Sequence, residues 1–199
     1  MLRRVFLSLA LLVSLAACGA EPIWSEQHEI DRVAFRAPGP AKLTLITVIN
    51  NRSGSGAHTG LLINGSQRVM WDPAGTWWNP NAPERNDLHY GLTDRMVGVY
   101  IDYHTRETFH TVVQEITVSP EVAQKALMLA ANYGAVPKAQ CSLSTSKILS
   151  QLPGFESIPV GYFPTKTMDA FAKLPGVTTR KVYDDDPDDN SAKLPANGL

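Results

Sequence analysis

Cysteine is close to absent: the 199-residue chain holds two, Cys18 and Cys141. There is no Cys-x-x-Cys and no resolving thiol near either, which argues against disulfide-exchange chemistry. A charge excess is also lacking, with 18 Lys and Arg against 19 Asp and Glu, a net charge of −1 and no basic block. Nucleic acid is therefore not an expected partner. His89, His104 and His110 show no metal-ligand spacing such as His-Glu-x-x-His, so no metal and no cofactor are expected. No serine stands in a Gly-x-Ser-x-Gly elbow. Gly54-Ser55-Gly56 lacks the lysine and following helix of a phosphate loop. No internal repeat is visible. What remains is ordinary globular material, 44% hydrophobic and long enough for one well-filled core.

The longest apolar run, residues 5–15, follows Arg3 and Arg4 and is too short to span a bilayer. It leads into Leu15-Ala16-Ala17-Cys18, which resembles the bacterial lipobox. The resemblance implies that residues 1–17 are a signal peptide and that Cys18 receives a diacylglyceryl group as first residue of the mature protein. It implies a palmitate-type anchor, a place in the bacterial cell envelope facing the periplasm and, with Gly19 rather than Asp after the cysteine, the outer membrane. Several acyl chains acting together give stable anchoring. The other reading is an ordinary signal peptide cut near Ala17 or Ala20. Lipidation would leave Cys141 as the one free thiol of an exported protein, where cysteines are usually paired or absent. Such a thiol is a candidate nucleophile or a small buried hydrophobe.

Residues 18–41, with Pro22, Pro38, Gly39 and Pro40, read as a tether and irregular lead-in, with a short helical or extended piece near 30–35. Residues 42–183 form the expected single domain. Strands are expected at 42–50, 58–63 and 68–72, the second and third joined through Asn64-Gly65. A long loop with Pro73, Gly75, Pro80 and Pro83 carries Trp77 and Trp78. A further strand pair is expected at 95–103 and 109–118, rich in β-branched and aromatic residues. Ser119-Pro120-Glu121 is a strong helix start, with Gly134 as its stop. A helix follows from Cys141 to just before Pro153, another from Pro164 to 172, and a last strand at 178–183. The acidic tail 184–199 has no core-forming pattern and is expected to be disordered. The predicted class is α+β, an antiparallel sheet packed against helices.

Three things make a thiol reactive: a helix N-terminus, a nearby imidazole and a polar group fixing that imidazole. Cys141 opens a predicted helix, and His58 stands on a predicted strand. Asp72 is the best offer for the third, and hairpin register tests it, since opposed residues have numbers of constant sum. A sum of 130 sets His58 opposite Asp72. A two-residue Asn64-Gly65 turn gives 129, pairs His58 with Trp71 and turns Asp72 away. The first register, or a bulge that restores it, makes Asp72 the orienting residue; otherwise Asp72-Pro73 is a strand-ending turn. Trp71, Trp77 and Trp78 could line a substrate cleft, or serve as core and loop-anchoring aromatics.

AHTGLLIN at 57–64, RVMWDPAG at 68–75 and QCSLSTSKIL at 140–149 together resemble the circularly permuted branch of the NlpC-like, papain-related cysteine peptidase superfamily, of which lecithin:retinol acyltransferase is a relative. The resemblance covers roughly residues 42–175. It implies Cys141 as nucleophile, His58 as base, Asp72 near the third position, and an oxyanion hole from main-chain N–H groups near Cys141 with Gln140 and Ser142 contributing. It implies a cysteine hydrolase acting on a peptide or acyl substrate through a thioester, with peptidoglycan peptides an obvious local source. Two departures stand out: Gln140 occupies a position commonly held by Asp or Asn, and Asp72 one more often held by His, Asn or Gln. The other class of function is a non-catalytic envelope lipoprotein that uses the same fold as a binding or scaffold module.

Overall fold

Residues 19–189 are described by the computed structural model. The lipobox, Cys18 and the expected signal peptide lie outside the described residues, as does the tail from 190. Seven strands form one wholly antiparallel sheet in the order β4-β5-β3-β2-β1-β6-β7. They are β1 (Lys42–Asn50), β2 (Gly56–Asn64), β3 (Arg68–Trp71), β4 (Glu84–Arg85), β5 (Leu88–His89), β6 (Phe109–Thr117) and β7 (Thr178–Val182). The five described helices are α1 (Gln27–Val33), α2 (Asp94–His104), α3 (Pro120–Ala131), α4 (Cys141–Leu149) and α5 (Pro164–Phe171). The class is α+β, as the sequence predicts. No described helix is long and apolar enough to cross a membrane.

β1 is buried along almost its whole length because helices cover both faces of the sheet. On one face Leu43, Leu45, Leu61, Ile63, Val69 and Trp71 pack against α3, α4 and α5 through Ala126, Ala130, Ile148, Leu149 and Phe171. On the other, Ile46, Leu62 and Met70 pack against Met96, Tyr100, Ile101 and Tyr103 of α2. The second layer is a correction: residues 95–103, which the sequence pattern predicts as a strand, lie in the helix Asp94–His104. Alternating Val97, Val99 and Ile101 imitate a strand's period of two. The helix is set instead by Thr93, whose hydroxyl caps Met96 N–H at 3.2 Å, and by the helically spaced apolar face Met96, Tyr100, Tyr103.

Two local features aim β2. The β2–β3 register pairs Leu61 with Trp71 and Asn64 with Arg68, so opposed numbers sum to 132 and the loop has three residues. Neither expected register is found. Asn64 is a paired strand residue rather than a turn residue, its side-chain amide donating to Pro40 O at 3.2 Å. At the other end of β2 the pairing with β1 steps from Val48–His58 to Ile49–Gly56, leaving Ala57 as a bulge beside His58.

Candidate active site

His58 stands next to that bulge, Asp72 just beyond β3, and Cys141 at the first position of α4. Because the register sum is even, His58 and Asp72 share a face as diagonal neighbours, displaced by two residues rather than opposed. The residue nominally opposite Asp72 is Gly60. A Cβ there would lie 2.4 Å from the Tyr100 hydroxyl, so the missing side chain is what lets Tyr100 of α2 cross β2 to the carboxylate.

Asp72 Oδ1 accepts from His58 Nε2 at 2.7 Å and from the Tyr100 hydroxyl at 2.5 Å. His58 is also in side-chain hydrogen-bond contact with Cys141. With Nε2 on Asp72, Nδ1 is the nitrogen left for the sulfur. The Cys141 sulfur is further hydrogen-bonded by the main-chain N–H groups of Ser142 and Thr59. A carboxylate, an imidazole and a sulfur are thus brought together, the sulfur at a helix N-terminus.

Electrostatics follow the geometry. Burial by itself pulls the His58 imidazole down; the Asp72 carboxylate and the Cys141 thiolate outweigh it and push His58 up to about 10. Burial opposes ionisation of Asp72, yet the His58 cation holds it below the usual carboxylate range. Burial would raise the Cys141 thiol, but His58 and the two N–H donors lower it. All three shifts favour a thiolate–imidazolium pair. The Tyr100 phenol is pushed well above its ordinary value, by burial and then by Asp72, and so remains a donor.

His104, one turn after Tyr100, stacks on His58 with rings 5.4 Å apart and 6° from parallel. Its Nδ1 bonds Tyr100 O at 2.8 Å. Burial lowers it to about 4, so it faces the imidazolium as a neutral ring. Neither Tyr100 nor His104 is visible as a site residue in the sequence, since both sit on the helix that reads as a strand. One signal was present: the two lie four apart behind the Thr93-Asp94 helix start.

His58, Asp72 and His104 each offer one ligand atom, all within 4.8 Å of one another, a set that could hold a divalent ion. In the structure Asp72 and Cys141 engage His58, and Tyr100 O engages His104 Nδ1.

The remaining sequence candidates separate. Ser142 contributes its main-chain N–H, while its hydroxyl is buried against Thr167 at 3.0 Å. Gln140 is the N-cap of α4 and makes no side-chain cap bond. Trp71 is a correction: it points into the core, buried against Tyr133, because odd-numbered residues of β3 face α3 and α4. Trp77 is buried edge-on to Tyr100 and His89, supporting the relay from behind. Trp78 is 51% exposed and, with Trp77, borders a cavity of about 550 Å³ that also reaches Asp72, Glu84 and Asp87. A second cavity, about 370 Å³, lies on the other side of the 74–76 loop and reaches His58 and His104. A larger space between the hairpin loop and α3 contains none of these residues.

Asp87 carries no site signal in the sequence. Its carboxylate accepts from Ala74 N at 3.0 Å and Val136 N at 2.7 Å, and its carbonyl accepts from Asp72 N at 2.8 Å. It ties the loop after Asp72 to the segment leading into Cys141. Burial pushes it up to about 6 despite the two N–H donors. Among the described residues the non-glycine positions with positive φ are Ala74, Asn86, Asp87 and Ala139, all in these connecting loops. Left-handed backbone concentrated at one place in a fold is characteristic of functional sites.

No protein family matches the chain, and no curated protein or solved structure does either.

Proposed function

We propose that the protein is a cysteine hydrolase or acyltransferase of the circularly permuted NlpC-like kind, lipid-anchored through Cys18 at the bacterial outer membrane and acting on amides or esters. Peptidoglycan peptides are the substrates nearest to hand. The observation that carries the reading is His58 bridging Asp72 and Cys141 at the start of α4.

The Cys141 thiolate attacks the substrate carbonyl carbon, forming the S–C bond and a tetrahedral oxyanion. Main-chain N–H groups at the start of α4, with the Gln140 amide, which makes no cap bond, stabilise that oxygen. The C–N or C–O bond then breaks, and the leaving group takes the proton from His58. Water, or an acceptor amine, gives a proton to His58 and attacks the thioester, returning the thiolate. Asp72 holds the ring and its charge throughout, itself oriented by Tyr100.

p-Nitrophenyl acetate tests this without knowledge of the substrate. Wild type should carry a hydroxylamine-sensitive acetyl group on tryptic peptide 139–147, and His58→Ala should carry none. An unmodified peptide in folded wild type would sink the reading. One observation favours the alternative of a binding module: Cys141 is only 8% exposed. In that case the peptide reacts only once the protein is unfolded.

A further inference from the structure

The two cavities flanking the 74–76 loop differ in charge. The larger carries Asp72, Glu84 and Asp87 on its wall. The smaller is bordered by His58, His104 and Arg106, and the one carboxylate among its described lining residues is Asp188. Asp188 belongs to the acidic tail that the sequence marks as disordered. Residues 184–189 instead fold back from β7 over the start of β6. Thr108 N–H donates to Asp188 Oδ1 at 3.1 Å, and the Thr108 hydroxyl donates to Oδ2. Asp186 O accepts from Glu107 N at 2.9 Å, and its carboxylate lies 4.0 Å from Arg106 Nη1.

Arg106 is what makes this more than a turn. It is 3% exposed, and its Nη atoms donate to Tyr103 O and Thr105 O at 2.7 and 2.8 Å. Its Nε finds no partner among the described residues. Carbonyl oxygens satisfy its geometry but do not neutralise its charge, and it makes an ion pair, at 4.0 Å, with Asp186 of the tail. Thr108 supplies two donors to a single carboxylate, the pairing that charge-assisted hydrogen bonding favours.

We propose that the cavity beside His58 is a carboxylate-binding pocket, and that the chain's own C-terminal segment borders it through Asp188 as a tethered competitor of an acidic ligand. A tethered group acts at an effective concentration in the millimolar range, on the order of what weak carboxylate ligands need. The pocket's location is that of the candidate site, but its ligand binding does not depend on Cys141 reacting.

The test uses the full chain with 13C-labelled histidine, following the His58 and His104 ring signals as N-acetyl-L-aspartate is added. N-Acetyl-L-asparagine is the uncharged control. Asp188→Ala should bind N-acetyl-L-aspartate about tenfold more tightly than wild type, the equivalent of one charge-assisted hydrogen bond released. The His104 signal should move, and the asparagine analogue should leave it in place. Adding Thr108→Val to Asp188→Ala should reverse the gain. Equal affinity in wild type and Asp188→Ala, equal response to the two ligands, or a gain that survives Thr108→Val would each overturn the proposal. Because no readout requires a reactive thiol, failure here is separate from failure of the hydrolase reading.

Discussion

At the scale of single residues the site rests on opposing shifts in one buried pair. Asp72, ordinarily near 3.8, is held lower by His58, so its contribution to stability is present above that value and fades as pH falls through its native one. His58 is raised from 6.5 to about 10, so its contribution is complete below 6.5 and fades as pH rises through 10. The two windows overlap between pH 3.8 and 6.5. Replacing His58 by Ala leaves Asp72 as an unpaired buried charge, at a cost of about 3–5 kcal/mol. Urea denaturation across pH should therefore show the largest gap between wild type and His58→Ala in that interval. The gap should narrow below pH 3.8, where Asp72 in the variant can protonate, and again toward pH 10. A gap independent of pH would mean the pair is not ionised.

At the scale of elements, the relay depends on α2 lying across β2 with nothing between them but Gly60. Gly60→Ala places a methyl 2.4 Å from the Tyr100 hydroxyl, and overpacking of this kind costs about 1–3 kcal/mol. Combining it with Tyr100→Phe removes the colliding oxygen. Calorimetry on the four proteins of the cycle should give a double variant less destabilised than the sum of the two singles. Strict additivity would show that the hydroxyl and Gly60 do not meet. This contact also shows where the sequence stops being informative. His58, Asp72 and Cys141 are legible because each sits on a short-range signal: strand alternation, a β3 terminus with the right parity, a helix start after Pro137. Tyr100 and His104 are not, because Val97, Val99 and Ile101 give a local pattern of strand that burial against the sheet overrides. The hairpin misleads similarly. Asn64-Gly65 has the chemistry of a two-residue turn, but tertiary bonding of Asn64 to Pro40 keeps it in the strand and moves the register.

At the scale of the molecule, the chain's two halves meet at one place. β2, β3 and α2 supply His58, Asp72 and Tyr100 early in the sequence, and α4 brings Cys141 to them later. Asp87 joins the two, its carboxylate holding Ala74 on one side and Val136 on the other. The tail, folded back onto β6, closes the same end of the sheet. Everything in this arrangement converges on the charge state of a single thiol. The direct measurement is the rate of iodoacetamide modification of Cys141 against pH, read on tryptic peptide 139–147 of the native full chain, for wild type and His58→Ala. The thiol is lowered from 9.0 and His58 stays protonated to about 10, so wild type should already react fast below pH 9 and hold a plateau toward pH 10. In His58→Ala the curve should move to higher pH and the rate near neutrality should fall. Identical profiles for the two proteins, or a Cys141 that reacts only after denaturation, would contradict a thiolate–imidazolium pair.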